Sequence, residues 1–395
     1  MAIKQHKLRS RIVIAMAIAV IFSALVFSLF RAIIPYITDY GEDIERELSA
    51  QLGMSVEIGM IDADISWLVP RLKFLDVSIY DVKHKKHFLH FSEISISLNW
   101  SETIKNMRPE LGDIFVFGMD LQIERNHKGE FLVQGIELSR SNDAEASAPE
   151  RVMGLFEESS LYLVDSTIHW LDQMNNSQRL DFTEVNLTMI NSEPGHEVSI
   201  DMDLPAAYGH HLQVRADFEG DINNLHSWQG RAYFSGENLQ LDAWLNDYWE
   251  LIEFPGAGLL SADAWISFNG FSIETVSLNL QAKDLVLHHL DDDVQSWRLD
   301  HIAAMMKWWR TEDGMIIDVR DLDIQRNHEK LVQKSAARLQ VYENQKIKLT
   351  TNYLKLDDLV YFAGIADAIR PDFSFNALGI IDAHSVIGDL YDVVF

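Results

Sequence analysis

The sequence contains no cysteine among its 395 residues. This absence excludes structural disulfides, thiolate zinc sites and a cysteine nucleophile. Basic residues are also scarce, since 33 lysines and arginines stand against 60 acidic residues and leave a net charge of −27 at pH 7. A chain this acidic repels nucleic acid phosphates, so we expect no nucleic acid partner.

The sequence also lacks the common catalytic motifs, namely a Walker loop, G-x-G-x-x-G, G-x-S-x-G and H-E-x-x-H. His84, His87 and His90 lie three apart, but on strands they would not share a face, which favours a basic hairpin tip. The pair His288-His289 precedes Asp291–Asp293, and adjacent strand residues point to opposite faces, which favours an exposed acidic turn. We therefore predict no catalytic residue, no metal site and no cofactor.

Long apolar runs are absent except for one, which covers residues 12–30 and contains no charge. A helix of that length spans roughly 28 Å, close to the ~30 Å hydrocarbon core of a bilayer. We predict a transmembrane anchor, with these residues as its main apolar members: Ile12, Ile14, Ile18, Phe22, Leu25, Phe27 and Phe30. Four basic residues and no acid precede the run, which places the N-terminus in the cytoplasm and the bulk of the chain beyond the membrane.

A cleaved signal peptide is the alternative interpretation of this run. The apolar region of a signal peptide is usually about 7–15 residues long and ends at a small-x-small site. Here the run is longer, and Ser28-Leu29-Phe30-Arg31 makes a poor cleavage site.

Beyond residue 53 the apolar pattern changes from the helical period to a period of two. Ile94, Ile96 and Leu98, for example, alternate with polar residues. Such alternation is typical of strands with one apolar and one solvated face, and turn signals recur about every ten residues. The chain is therefore predicted to be mainly β, with antiparallel strands and few helices.

The pattern divides the chain into seven segments. We expect a cytoplasmic basic tail over 1–11, the anchor over 12–30, and a linker with an amphipathic helix over 31–53, ending at Gly53. A first sheet segment over 54–138 contains a short helix at Ser101–Met107, capped by Ser101. The remaining segments are a polar loop with a short helix at 139–159, a continued sheet at 160–354 with a helix at Leu241–Ile252, and a helix with truncated C-terminal strands at 355–395.

One internal echo stands out. Residues 120–127 (DLQIERNH) recur as residues 321–328 (DLDIQRNH), with identity at six of the eight positions. Weaker relatives occur at 237–241 and 283–287. A repeated strand unit suggests an elongated, stacked sheet, although the alternating residue pattern that strands have in common could also produce the echo.

Three stretches resemble the AsmA-like group of Gram-negative envelope proteins, which includes the YhdP-like proteins and TamB. They run from Gly53 through Trp67 and Pro70 to Ile79, from Leu98-Asn99-Trp100 to the strand at Phe115, and over residues 236–245. The resemblance implies an inner-membrane anchor and a long, curled antiparallel β-groove (a β-taco) that moves phospholipid toward the outer membrane. Complete members are longer than this chain, so we expect a fragment or a short form.

An apolar sheet face must be covered by a helix, a second sheet or a ligand. Helical sequence is scarce, so another part of the same curled sheet could cover this face or, where the curl stays open, the phospholipid acyl chains that the resemblance implies. The predicted groove lining is Ile94, Ile96, Leu98, Phe115, Phe117, Met119, Leu121, Ile123, Val185, Leu187, Val198, Ile200, Val214, Phe218, Ile266, Leu278, Leu280, Ile317, Leu322 and Ile324. The expected partners are phospholipid, the inner membrane and, through the membrane helix, other envelope proteins.

Two other functions stay open from the sequence. The first is an envelope assembly scaffold whose apolar face closes on itself and holds no lipid. The second is an anchored periplasmic hydrolase, which would need two carboxylates some 5–9 Å apart in a cleft. No sequence pattern points to such a pair.

Overall fold

We describe the fold from a computed structural model of the chain. It describes residues 16–17, 21, 29, 41–66, 69–81, 86–108, 110–134, 136–137, 160–174, 179–192, 195–220, 225–248, 256–289, 292–342, 347–355 and 389–394. The predicted helices at 150–158 and 356–369 and the polar loop at 139–149 lie outside these residues. So does most of the predicted anchor.

The described residues form two compact units, one within 1–120 and 160–162 and the other within 121–137 and 163–394. Almost all regular structure in both units is antiparallel β, with a few short helices, which confirms the mainly β prediction. Within the apolar run, the described residues Met16, Ala17, Ile21 and Leu29 are helical. Among the residues described, no helix is both long enough and apolar enough to cross a membrane.

The first unit begins with helix α1 (Gly41–Leu52), which ends as predicted at Gly53, a residue with a φ of +65°. Four antiparallel strands follow, each paired with the next: β1 (Ser55–Ser66), β2 (Val69–Asp81), β3 (Lys86–Leu98) and β4 (Leu111–Phe117). Helix α1 packs on β1 and satisfies two of its backbone amides, since Val56 N–H donates to Ser49 Oγ and Ile58 N–H to Glu45 Oε1.

Helix α2 (Trp100–Asn106) connects β3 to β4. Its N-cap is Asn99, whose side chain accepts a hydrogen bond from the backbone N–H of Glu102 at 3.2 Å. The prediction of Ser101 as the cap is wrong, because helical geometry begins one residue before it.

The second unit contains fifteen strands among the described residues. They are β5 (Asp120–Arg125), β6 (Phe131–Val133), β7 (Ile136–Glu137), β8 (Leu161–Asp172), β9 (Leu180–Ser192), β10 (Gly195–Asp203), β11 (His211–Glu219), β12 (Gln229–Gln240), β13 (Gly256–Asn269), β14 (Ser272–His289), β15 (Asp292–Thr311), β16 (Gly314–Arg326), β17 (Glu329–Tyr342), β18 (Ile347–Lys355) and β19 (Asp389–Val394). From β9 to β19 each strand pairs antiparallel with the next, which makes a continuous meander. Helix α3 (Leu241–Tyr248) packs against β12 and β13, and a short 3-10 helix covers Leu225–Ser227.

The internal echo has a structural cause. Asn238, Asp284 and Asp321, which occupy the same place in three copies of the motif, all have φ values near +50°. The strand register shifts at or beside each of them. Asparagine and aspartate tolerate this left-handed conformation better than most residues, and it creates β-bulges that bend strands. The first copy differs, because Asp120 has no positive φ and the left-handed residue is Gly118, at +60°, two residues before the copy begins.

Candidate functional site

The main candidate site is the apolar face of the β9–β18 meander, where the register aligns side chains into rows. The longest row crosses ten strands, and every member is apolar: Met189, Val198, Ala216, Ala232, Ile266, Val276, Trp308, Ile317, Leu339 and Leu349. Since neighbouring strands lie about 4.8 Å apart, this row extends for roughly 43 Å along the sheet. We call it the long row.

A second row runs beside the long row, two residues along each strand. It consists of Leu187, Ile200, Val214, Phe234, Ala264, Leu278, Met306, Val319, Ala337 and Thr351, of which only the last is polar. A shorter third row continues the face with Met202, Leu212, Gly236, Ala262, Leu280 and Ala304. The three rows form one apolar surface, which we call the row face.

The long row and the second row are only half-buried. Every residue of the long row keeps part of its surface open to solvent, as does every residue of the second row except Thr351. The first unit is different, because its apolar residues Ile114 and Val116 are 2% and 1% exposed. Apolar side chains that are aligned yet left half-open are an unfilled contact surface, since covering them removes further apolar area from water.

The opposite face of the same strands is polar. Across β10–β18 the register aligns Ser199, Arg215, Tyr233, Trp265, Ser277, Lys307, Asp318, Arg338 and Thr350. The Arg338 guanidinium donates two hydrogen bonds, of 2.6 and 2.7 Å, to the Asp318 carboxylate. These bonds hold the pKa of the Asp318 carboxyl below its usual value. The sheet therefore has two chemically distinct sides, as the alternating sequence predicts.

Two aromatic clusters flank the row face. At one end Phe218 stacks on Trp228, with ring centroids 4.2 Å apart, and is the cross-strand partner of Gly230 on β12. At the other end the indole N–H of Trp244 in α3 donates to the Tyr208 carbonyl at 2.7 Å. The phenol of Tyr208 is itself buried and meets the Trp244 ring edge-on.

Eight of the predicted lining residues lie on the row face: Leu187, Val198, Ile200, Val214, Ile266, Leu278, Leu280 and Ile317. Val185, Phe218 and Ile324 are buried at 0%, 6% and 5% exposure, so they are core residues rather than open surface. Leu322 packs with Ile324 beyond the bulge at Asp321.

The remaining predicted lining residues lie outside the row face. Ile94 and Ile96 on β3 are half-buried and pair with Val116 and Ile114. Leu98 is the last residue of β3 and pairs with Leu111 of β4.

Phe115 and Phe117 pair with Ser95 and Glu93, so they lie on the opposite side of the first unit's sheet from Ile94. The sequence interpretation put them on one face because Ile114, Phe115, Val116 and Phe117 are all apolar, and either phase of the alternation fits.

The predicted strand from Phe115 to Ile123 is interrupted. Gly118 ends β4, Met119 is buried between the strands, and Leu121 and Ile123 belong to β5. A residue with a positive φ breaks the two-residue alternation, so one pattern does not continue across it.

The predicted groove lining omits several large residues of the row face, notably Phe234, Met306, Trp308 and Leu339. Phe234 follows Tyr233, and Trp308 precedes Trp309, so apolar residues fill both phases of the alternation there. Only the strand register distinguishes the two faces at these positions.

The described residues contain no cluster of acidic and histidine side chains fit to hold a metal ion. His90 lies on β3, with Nδ1 3.2 Å from Ser78 Oγ, and His289 pairs with Asp292 where β14 turns into β15. His84 and Asp291 lie outside the described residues.

A comparison with curated proteins found no match for this chain. A family model described as YhdP protein matches residues 1–375, which is nearly the whole sequence. That match agrees with the resemblance noted over residues 53–79, 98–115 and 236–245, and the chain therefore belongs to the YhdP family.

Proposed function

We propose that the chain is a lipid carrier whose row face holds phospholipid acyl chains while the headgroups stay in water. The observation that carries the proposal is the long row, in which ten consecutive strands present apolar, half-buried side chains. Membership of the YhdP family supports it. No step of this function requires a catalytic group.

The energetics favour both the binding of a lipid to the row face and its movement along that face. Burying one methylene group is worth about 0.8 kcal/mol, so a two-chain lipid laid on the row face gains many such contacts. Neighbouring positions along the long row offer apolar surfaces and no charge. An acyl chain that moves by one strand therefore exchanges one apolar contact for another, at little net cost in free energy.

We further propose that the apolar run over residues 12–30 anchors the chain in the inner membrane, with the basic N-terminus in the cytoplasm and the sheet in the periplasm. The supporting observations are the uncharged run itself and its basic flank. Met16 and Ile21 are also more than half exposed, as the side chains of a lipid-facing helix would be.

Native mass spectrometry of the full chain, purified in mild detergent, tests the proposed cargo. We expect the chain to carry bound phospholipid that is released on unfolding. A chain free of lipid, even after incubation with phospholipid micelles, would contradict the proposal and favour a scaffold whose apolar face closes on itself.

A further inference from the structure

A cavity of about 840 Å³ lies on the polar side of β9–β14, opposite the row face. Its volume falls within the range of small-molecule sites, about 300–1,000 Å³. Its lining includes the long-row residues Val198, Ala216, Ala232 and Ile266, but most of its lining residues carry hydroxyl, amide or charged side chains, and these surround one aromatic pair. This mixture does not suit an acyl chain, so the cavity needs a different occupant.

The aromatic pair is Tyr233 and Trp265, which are direct cross-strand partners with ring centroids 5.3 Å apart. The Tyr233 hydroxyl donates to Asp263 Oδ1 at 2.9 Å, and that oxygen also accepts from Ser235 Oγ. Tyr233 is thereby fixed, while Trp265 remains 48% exposed. A fixed tyrosine beside a half-open indole provides a flat apolar platform within a polar wall.

Two arginines border this platform. Arg215 is the cross-strand partner of Tyr233 on β11, and Arg231 lies two residues before Tyr233 on β12. Both side chains are exposed, and neither forms an ion pair or a hydrogen bond with the described residues. Free arginines are notable in a chain with a net charge of −27, and each offers a planar fork of donors suited to a carboxylate.

The rest of the wall supplies both donors and acceptors. Ser199, Ser267 and Ser277 contribute hydroxyl groups, and Glu197 and Asp217 contribute carboxylates. A ligand that fits all these groups has a flat C–H face, several hydroxyls and an anionic group.

We propose that this cavity binds an acidic saccharide, with a sugar ring stacked on Trp265 and its carboxylate held by Arg215 and Arg231. Glu197 and Asp217 then accept hydrogen bonds from sugar hydroxyls. A protein partner fits less well, because the core of a protein interface is depleted of charged residues, whereas four charged side chains line this cavity.

Isothermal titration calorimetry of the full chain tests the proposal, in a polyoxyethylene detergent without a sugar headgroup. The probes are tetragalacturonate as the acidic saccharide, maltotetraose as its neutral counterpart and hexaglutamate as an acidic peptide. We expect tetragalacturonate to bind more tightly than maltotetraose. Trp265→Ala should abolish binding, and Arg215→Gln should weaken tetragalacturonate binding about tenfold or more with little effect on maltotetraose.

Trp309→Ala is the matched control, because Trp309 lies on the same polar face but outside the cavity, beside Lys307 and Arg338. It should leave tetragalacturonate affinity unchanged. Three results would overturn the proposal: no saccharide binding at millimolar concentration, binding that survives Trp265→Ala, or binding of hexaglutamate alone. The last would mark the cavity as a protein contact instead.

Discussion

Leu280→Asp places one carboxylate on the row face, where its effect on lipid binding can be estimated. Leu280 is half-buried and flanked across the strands by the small residues Ala262 and Ala304, so an acyl chain that crosses β14 along the third row contacts it. The leucine side chain is worth about 1.5–3 kcal/mol when fully buried, and roughly half of that remains for the lipid to contribute. A carboxylate covered by an acyl chain adds a desolvation cost of several kcal/mol.

Because 1.4 kcal/mol corresponds to a factor of ten, these terms together should lower local lipid occupancy at least a hundredfold. A photo-crosslinking residue in place of Leu278, two positions away on the same face, reports that occupancy as lipid adducts by mass spectrometry. The matched control is Gln281→Glu, which adds the same charge one residue away on the exposed, polar side of the strand. Equal adduct yields from the two charged variants, both still folded by circular dichroism, would show that lipid does not contact position 280.

Three further predictions concern stability, each measured by urea unfolding. Asp172→Ala should cost about 2–3 kcal/mol, because Asp172 is fully buried and its removal strips Arg125 of a two-point ion pair; a change below ~0.5 kcal/mol would contradict this. Arg338→Gln should destabilise the protein at neutral pH but not in acid. The pKa of Asp318 is lowered in the folded state, so its ion pair contributes stability above the ordinary pKa of 3.8, and this stability is lost as the pH falls through the folded pKa. A difference in unfolding free energy between the two proteins that does not depend on pH would be the contrary outcome. Gly230→Ala should destabilise by more than ~1 kcal/mol, because a Cβ there would lie 2.1 Å from a backbone oxygen of β11; an unchanged midpoint would show that β11 gives way.

The alternation of apolar residues was enough to predict antiparallel strands with two different faces. It put Val214, Leu278 and Leu280 on one surface, where the register also aligns them, since each lies between two polar residues. It could not place Phe115 or Trp308, because both phases of the pattern are apolar around them.

The residues in the left-handed conformation explain another part of the difference between the predicted strands and the observed ones. Asp321 and Gly118 each reset the alternation, which buried Ile324 and split the strand expected from Phe115 to Ile123. The sequence echo begins at Asp321 in its second copy, but the bulge there depends on a backbone angle that no residue pattern states.

The cavity around Trp265 was not predicted from the sequence at all. Its lining comes from six strands, β9–β14, whose side chains meet only through the register. The one available sign was an aromatic residue on the polar phase of β13, where Trp265 lies between Ala264 and Ile266.

We propose that lipid lies on one face of the β9–β18 meander and not on the other. Photo-crosslinking residues placed singly at Ile266 and at Ser267, neighbours on β13 that point to opposite faces, test this most directly in cells. We expect phospholipid adducts from position 266 and essentially none from position 267. Adducts from both positions alike, or from position 267 alone, would contradict it.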